Sequence, residues 1–243
     1  METKTKRTKF IFRSATLTDI TKLAELEQNV WGENGASVFK LKSRIEIFPA
    51  GNIIALYEGK IVGYLSFEYV DNVVNFPHFS WDSITDNGTI IKSHKPDAKY
   101  MYGISLSVHK TMSGQQLGFG LTLQAWINMI INNKKGIFIG SRMPGYSNYK
   151  KHHPEITPEE YIKLKRHGKL RDPELRMYEK DGVCSIKVLP EYFPDPPSEN
   201  YGVLLYRKNP FYNWPLRRLW AWLIARVPIK FRENISVAKK EKI

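Results

Sequence analysis

Six residues in the middle of the chain, QQLGFG at 115–120, have the types and spacing to hold a phosphate. They lie between an apolar run and a long segment of helical periodicity, so the glycines stand where a helix begins. The first amides of a helix have no partner within it, and a glycine-rich approach lets a pyrophosphate reach them. Gly118 and Gly120 would equally relieve a tight strand-to-helix contact, and the six residues alone leave both interpretations open.

Other kinds of site find little support in the sequence. The loop has neither the GxGxxG of a dinucleotide site nor the Lys-Ser/Thr pair of a P-loop, and no nucleophile elbow is present. The six histidines lack metal-ligand spacing with acidic partners, so we expect no metal site. The single cysteine, Cys184, excludes an internal disulfide and fits a reducing compartment.

The 243-residue chain is strongly basic, with a formal charge of +13. Such a charge attracts a phosphorylated cofactor, an acidic protein, nucleic acid or a membrane surface. The basic residues are dispersed and no nucleic-acid-binding module is recognisable, so we expect no nucleic-acid partner. The sequence shows no signal-peptide core and no run of about 18 apolar residues, which favours a cytoplasmic protein.

A mixed sheet covered by helices must position the glycine loop. Strands are predicted near 9–13, as a hairpin at 52–70 that turns at 58–60, and at 101–108, 136–141, 183–189 and 201–208. Helices are predicted after a capping box of Thr16 and Asp19, and at 37–48, 117–132, 158–167 and 173–180. The stretch 71–99 is loop-like, and a loop of this length is more often functional than filler.

The glycine loop resembles the acyl-coenzyme A signature of the GNAT acetyltransferase superfamily, Gln/Arg-x-x-Gly-x-Gly/Ala after a strand that ends Leu-x-Val. Further features of that superfamily follow in order at 13–19, at 58–65 (EGKIVGYL) and at 177–183 (MYEKDGV). The resemblance covers about residues 9–208. It implies a mixed, mostly antiparallel α/β fold, with a central sheet of six or seven strands flanked by helices and splayed between the fourth and fifth strands.

A closer resemblance is to the acetyltransferase-like module that precedes a nitrilase-type hydrolase in some two-part bacterial chains. It is carried by the segments 81–88, 102–109, 142–146, 158–161, 172–173 and 189–210. We expect this chain to be too short for the hydrolase, and its cysteine lies in a predicted strand. Nitrilase chemistry is therefore not expected here.

The GNAT resemblance implies acetyl-CoA, or another acyl-CoA, as co-substrate, without a metal. The residues that would bind it are Leu106, Ser107, Val108, Gln115, Gln116, Leu117, Gly118, Phe119, Gly120, Leu121 and Thr122. Backbone amides near 106–108 would polarise the thioester carbonyl, and an amine would attack it directly in a ternary complex.

Tyr178 matches the family position that protonates the leaving thiolate, and a phenol is protonated at neutral pH; the alternative is an ordinary core or surface tyrosine. Glu68 and His109 are candidate bases, although isolated acids and histidines are more often structural and ordered water would also serve. Residues outside the common core are candidates for binding the acceptor: Trp81, Arg142, Tyr146 and Tyr192. Arg142 would bind a carboxylate of the acceptor or pair with a local acid.

Residues 211–243 are basic and aromatic, and we separate them from an acyltransferase domain at 1–210. Their apolar residues fall within an arc of about 140° on a helical projection, which indicates an amphipathic helix; they are Leu216, Leu219, Trp220, Leu223, Ile224 and Val227. This helix would pack on its own domain or on a second subunit of a homodimer, attach to an anionic membrane at its inner face, or dock an acyl carrier protein.

The sequence therefore predicts an N-acetyltransferase that moves an acyl group from coenzyme A to an amine of a small molecule. Two alternatives remain open. One is a non-catalytic module that binds coenzyme A, and the other is a membrane-associated acyltransferase that uses long-chain or carrier-bound acyl groups.

Overall fold

The protein is built around one seven-stranded sheet. A computed structural model describes residues 10–112 and 116–226 of the chain. In chain order the strands are β1 (Ile11–Ser14), β2 (Asn52–Tyr57), β3 (Lys60–Val70), β4 (Tyr100–Val108), β5 (Gly136–Arg142), β6 (Lys165–Arg166), β7 (Lys169–Leu170), β8 (Cys184–Leu189) and β9 (Gly202–Lys208). The sheet has the order β1-β2-β3-β4-β5-β9-β8, and β6 with β7 forms a separate ribbon. Of the strand pairs within the described residues, only β4 and β5 run parallel, so the expected fold class is confirmed.

Helices cover both faces of the sheet. They are α1 (Ile20–Trp31), α2 (Val38–Ile47), α3 (Trp81–Ile84), α4 (Leu117–Ile131), α5 (Tyr146–Lys150), α6 (Pro158–Tyr161), α7 (Pro173–Lys180) and α8 (Arg217–Arg226). One core cluster packs α1 and α2 on β2 and β3, and another packs α4 and α8 on the opposite face. Each face of the sheet is therefore covered by its own helices.

The start of α1 is fixed as the sequence predicts. Asp19 closes the capping box with Thr16, and Arg13 on β1 donates to both of its carboxylate oxygens, at 2.7 and 2.8 Å. These bonds hold the pKa of the Asp19 carboxyl well below its usual range, with the Arg13 guanidinium as the main cause. This ion pair therefore connects the first strand to the start of the first helix.

The predicted helix at 158–167 is wrong in its second half. The capping box of Thr157 and Glu160 does start α6, but the helix ends at Tyr161 and the β6–β7 ribbon follows. Between β6 and β7, His167 and Gly168 both have positive φ, +52° and +75°. Two successive residues of that kind form a tight hairpin turn, which no helix can contain.

The sheet opens between β4 and β5. Their parallel pairing runs only from Tyr100–Gly136 to Gly103–Ile139, although β4 continues to Val108 and β5 to Arg142. At the same point Ile104 is skipped in the register with β3, because Phe67 pairs with Gly103 and Ser66 with Ser105. The strand therefore carries a β-bulge where the splay begins.

The bulge changes which side chains of β4 face which helices. Met101 packs in the core cluster beneath α4, and continued alternation would send Ser105 and Ser107 to the same side. The extra residue reverses this, so Ser105 and Ser107 face α1 while Leu106 and Val108 face α4. Beyond the bulge β4 is polar on one face and apolar on the other.

The two glycines at the start of α4 differ in their surroundings. A Cβ on Gly120 would lie 2.6 Å from the ring of Phe12, whereas one on Gly118 would meet nothing closer than Val108 at 3.9 Å. Gln116 stands before them in a left-handed conformation, with φ +59°. The packing interpretation thus fits Gly120, and Gly118 borders open space.

The C-terminal helix packs on α4 along a different face from the predicted one. Ala221 and Ile224 are buried and Trp220 is partly buried. Five large apolar side chains between residues 214 and 223 are exposed: Trp214, Leu216, Leu219, Trp222 and Leu223. Val227 and the tail lie outside the described residues. Within 10–112 and 116–226, none of the helices has the length and apolar character needed to cross a membrane.

Glycine 140 on β5 provides a test of the packing at the splay. A Cβ there would lie 1.8 Å from the hydroxyl of buried Tyr192, which is bonded to the Tyr102 hydroxyl at 2.7 Å. We predict that Gly140→Ala lowers the free energy of unfolding by about 1–3 kcal/mol, because buried Tyr192 must move. Urea denaturation measures the change.

The matched control is Gly103→Ala on the neighbouring strand, where a Cβ would meet nothing closer than 3.6 Å. This variant is expected to stay within about 0.5 kcal/mol of the parent protein. Equal stability of both variants, or equal losses, would contradict the described packing.

Candidate functional site

A cavity of about 530 Å³ passes through the sheet where β4 and β5 separate. Side chains from α1, α2 and α3 line one end, including Glu27, Arg44 and Trp81. Residues of α4 line the other end, including Gly118, Thr122 and Trp126. Ile104, Leu106, Ile139 and Gly140 form the strand edges between them. The cavity therefore connects the two faces of the sheet.

The part nearest α4 contains several of the residues predicted to bind a cofactor. Leu106, Val108, Gly118 and Thr122 line the cavity. Leu117 and Leu121 instead pack into the core against Gly63, while Gln116, Phe119 and Gly120 lie outside the lining, and Gln115 falls outside the described residues. The first amides of the 15-residue helix α4 are nonetheless presented beside Gly118, at the positive end of the helix dipole.

Tyr178 lies on α7 and lines the same cavity. Burial raises the pKa of its phenol well above the usual value, and the nearby Glu174 carboxylate raises it further. The side chain therefore stays protonated through the neutral and alkaline range. Tyr178 is thus protonated and lines the cavity, and its role as proton donor stays a prediction.

The polar end of the cavity is built around Glu27 on α1. Its carboxylate is 2% exposed and accepts hydrogen bonds from the hydroxyls of Ser105, at 3.1 Å, and Ser107. The indole of Trp31 donates to Ser107 Oγ at 2.7 Å. This chain of hydrogen bonds joins α1 directly to the polar face of β4 beyond the bulge.

The loop after α1 completes the environment of Glu27. Gly35 lies so close to the helix that a Cβ would stand 2.8 Å from the Glu27 carbonyl. That approach lets the amide of Ala36 donate to Glu27 Oε2 at 3.3 Å. The carboxylate is therefore surrounded by donors, and it has no ion-pair partner among residues 10–112 and 116–226.

Three of the residues predicted to bind the acceptor line the cavity, and most of their polar groups have partners, although the buried Nε of Arg142 has none in the structure. Arg142 pairs with Glu174 at 3.3 Å and Asp195 at 3.1 Å. The Trp81 indole donates to the bulged carbonyl of Ile104 at 3.1 Å, and Tyr192 is bonded to Tyr102. The fourth, Tyr146, lies away from the cavity and donates to the Ile156 carbonyl.

Neither predicted base lies in the cavity lining. Glu68 is fully buried on β3, where Ser93 donates to one carboxylate oxygen at 2.7 Å and the other has no partner. Burial raises the pKa of Glu68 to about 8, although the Ser93 hydrogen bond and the charge of Arg44 oppose the shift. His109 lies beyond the end of β4 and is bonded to Thr111 at 2.7 Å. The described residues contain no three-residue cluster suited to a metal ion.

Five ionisable residues of the cavity lining were not predicted: Glu174, Asp181 and Arg207, and the two fully buried ones, Glu27 and Arg44. Arg44 on α2 is 1% exposed, and its Nε donates to the Gly88 carbonyl at 2.6 Å. One signal was available for both: each stands on the apolar stripe of its helix, Glu27 four residues after Leu23 and Arg44 three after Leu41.

The sequence is similar to two proteins of Bacillus subtilis. Over 212 residues it is 32% identical to the uncharacterized N-acetyltransferase YkwB of Bacillus subtilis, covering 82% of this chain and 89% of that protein. It is also 32% identical over 195 residues to the probable hydrolase YhcX of B. subtilis, covering 77% of this chain but only 36% of that longer protein. No family model matches the sequence.

Solved structures share the fold. The loading GNATL domain of CurA from Lyngbya majuscula has a TM-score of 0.71 at 24% identity, covering 83% of this chain and 98% of the domain. The GphF GNAT-like decarboxylase in complex with isobutyryl-CoA has a TM-score of 0.68 at 20% identity, covering 82% and 99%.

Glu68 makes the stability of the protein depend on pH in a definite direction. Between its ordinary pKa of 4.5 and its folded pKa of about 8, the folded protein keeps a proton that the unfolded chain has lost. Its contribution to the free energy of unfolding therefore falls as pH rises through this window. Arg44 and Asp86 are the charged groups that influence it.

Glu68→Gln preserves the shape of the protonated side chain but cannot ionise. We predict that its stability relative to the parent protein rises between pH 5 and 8, by up to about 1.4 kcal/mol per pH unit. Urea denaturation across this range measures the difference, and exposed Glu46→Gln on α2 is the control. A difference that stays constant with pH would show that Glu68 is ionised in the folded protein.

Proposed function

The chain belongs to the GNAT superfamily of N-acetyltransferases, and on that premise we propose that it transfers an acetyl, or a similar acyl, group from coenzyme A to an amine of a small molecule. One observation carries this proposal: a single cavity connects the start of α4 with a polar, carboxylate-containing end on the other face of the sheet. A donor and an acceptor entering from opposite faces would meet at the strand edges of the splay.

The donor fits the α4 end of the cavity. The pyrophosphate of coenzyme A would bind the amides of the first turn of α4, beside Gly118. The pantetheine arm would then run along β4 beyond Gly103, where the strand has lost its pairing with β5. Isobutyryl-CoA is bound by one protein of the same fold. Binding of an acyl-CoA by that protein supports an acyl-CoA as the co-substrate of this one.

The reaction is a direct substitution at the thioester carbon. The amine nitrogen forms the new C–N bond, and the C–S bond breaks as coenzyme A leaves. Tyr178 donates its proton to the departing thiolate. Amides of β4 beyond the bulge would stabilise the oxyanion, because fixed donors need no reorganisation in the transition state.

Glu27 takes the role that the sequence analysis gave to Glu68 or His109. It is the carboxylate that lines the cavity beside the exposed edge of β4. The proton lost by the attacking amine passes to Glu27 through the hydroxyl of Ser105, which lines the cavity and already donates to Glu27. Ser107, predicted to bind the cofactor, lies outside the cavity lining and donates to Glu27 from the interior.

The C-terminal helix has a separate place in this proposal. α8 packs on α4, which supports the interpretation that this helix packs on its own domain. The outer surface of α8 carries exposed apolar side chains together with Arg217, Arg218 and Arg226. Contact of this surface with an anionic membrane, a carrier protein or a second subunit stays a prediction, as does a cytoplasmic location.

Release of free thiol from acyl-CoA tests the function. We predict that the protein releases coenzyme A from acetyl-CoA only when a suitable amine is present, because the amine is the nucleophile. A panel of amino acids, polyamines and other small amines, with several acyl donors, is the screen. The GphF protein is named a decarboxylase, and decarboxylation of a carboxyacyl-CoA would keep the thioester and release no thiol.

Binding of coenzyme A without thiol release from any combination would support the non-catalytic alternative. Carbon dioxide release from malonyl-CoA without thiol would contradict acyl transfer in favour of decarboxylation.

Tyr178→Phe tests the proton donor. Removal of the hydroxyl leaves the thiolate to depart without a proton, so we predict that kcat falls by roughly ten to a thousandfold. The affinity for coenzyme A should change little, because the hydroxyl acts on the leaving group. Tyr149→Phe, on a tyrosine of α5 outside the cavity lining, is the control. Equal turnover by Tyr178→Phe and the parent protein would remove Tyr178 from the mechanism.

A further inference from the structure

The charged side chains of the cavity wall do not all have partners of opposite charge. The wall contains three arginines, Arg44, Arg142 and Arg207, and three acids, Glu27, Glu174 and Asp181. Arg142 is paired with Glu174 and with Asp195. Arg207 stacks on the Trp126 ring at 4.0 Å, and the charge of Asp181 acts on it. Within the described residues, Arg44 and Glu27 have no ion-pair partner.

Arg44 is a buried cation without a paired carboxylate. Its Nη1 atom is buried and has no hydrogen-bond partner in the structure, and none of the described acids lies within ion-pair distance. The neutral phenol of Tyr64 interacts with the guanidinium but cannot offset its charge. An uncompensated buried charge is expensive, so a site of this kind is suited to an anionic ligand.

Glu68 is the acid whose charge acts on Arg44, but the two form no ion pair within the described ranges. Burial raises the pKa of Glu68 to about 8, so at neutral pH its carboxyl is mostly protonated. A mostly protonated Glu68 therefore does not offset the positive charge of Arg44.

Glu27 is the complementary case. It is a buried carboxylate in the same cavity, held by hydroxyl and amide donors rather than by a cation. Both residues come from the α1 and α2 side of the sheet, opposite α4. The acceptor end of the cavity therefore offers one negative and one positive group.

We propose that the acyl acceptor carries both an amine and a carboxylate, as amino acids do, with its amine at Glu27 and its carboxylate at Arg44. The proposal rests on the proposed function and names its substrate class. It also assigns the carboxylate to Arg44 and not to Arg142, which two acids already neutralise. A guanidinium suits this role because it binds carboxylates through two parallel hydrogen bonds.

The experiment compares acceptors that differ only in the carboxylate. Amino acids with different spacings between the amine and the carboxylate are paired with their neutral amides and methyl esters, with acetyl-CoA as donor. We expect kcat/KM for at least one acid to exceed that of its neutral partners by a hundredfold or more. Equal values across all pairs would overturn the proposal and leave acyl transfer intact, and this comparison needs no variant.

Variants assign the preference to Arg44. Arg44→Met should lower kcat/KM for the preferred acid about a hundredfold more than for its amide, and Arg44→Lys should restore part of the difference. Lys42→Met removes the same charge from an exposed position on the same helix and should have no effect. Glu27→Gln should slow the acid and the amide alike. An acid preference that survives in Arg44→Lys and Arg44→Met would overturn the assignment.

Two further arms separate other outcomes. Calorimetric titration of the acids into protein saturated with coenzyme A detects binding without turnover. Binding that Arg44→Lys weakens tenfold would support the site even if the proposed function failed, and binding of no acid would overturn it.

Malonyl-CoA and succinyl-CoA place a carboxylate on the donor. Dependence on Arg44 for these donors alone would overturn the assignment to the acceptor.

Discussion

The loss of pairing between β4 and β5 is the constraint on which the rest of the structure depends. A sheet with continuous pairing would separate the α4 face from the α1 and α2 face completely. Here pairing ends at Gly103 and Ile139, and the bulge at Ile104 turns the polar side chains of β4 toward α1. The same irregularity therefore opens the cavity and supplies its polar face.

The charges around this opening are balanced unevenly, and the imbalance has a physical cost. Arg142 is neutralised by two acids and helps to hold the wall. Glu27 and Arg44 are buried without such pairing, and burial of a charge that lacks a partner of opposite charge is costly. Buried ionisable groups of this kind cluster at functional sites, because a ligand of opposite charge removes the penalty on binding.

Much of the fold was predictable because its signals are local. Capping residues, glycine turns and apolar periodicity placed most of the strands and helices. The failure at 158–167 arose because residues 165–170 form a ribbon whose turn at His167 leaves no clear periodicity. The bulge at Ile104 depends on pairing between distant strands, so no local pattern shows it. The site was predicted mainly where the family signature lies, and Glu27 and Arg44 were passed over although charges on apolar stripes are a recognisable anomaly.

The central claim is that an acyl-CoA lies in the splay with its phosphates at the start of α4. Amide hydrogen exchange with and without saturating coenzyme A tests it most directly, since new hydrogen bonds slow exchange where they form. The account predicts slower exchange in peptides that cover 104–108 and in those that cover 116–122. Unchanged exchange in both segments at a saturating concentration of coenzyme A would contradict it.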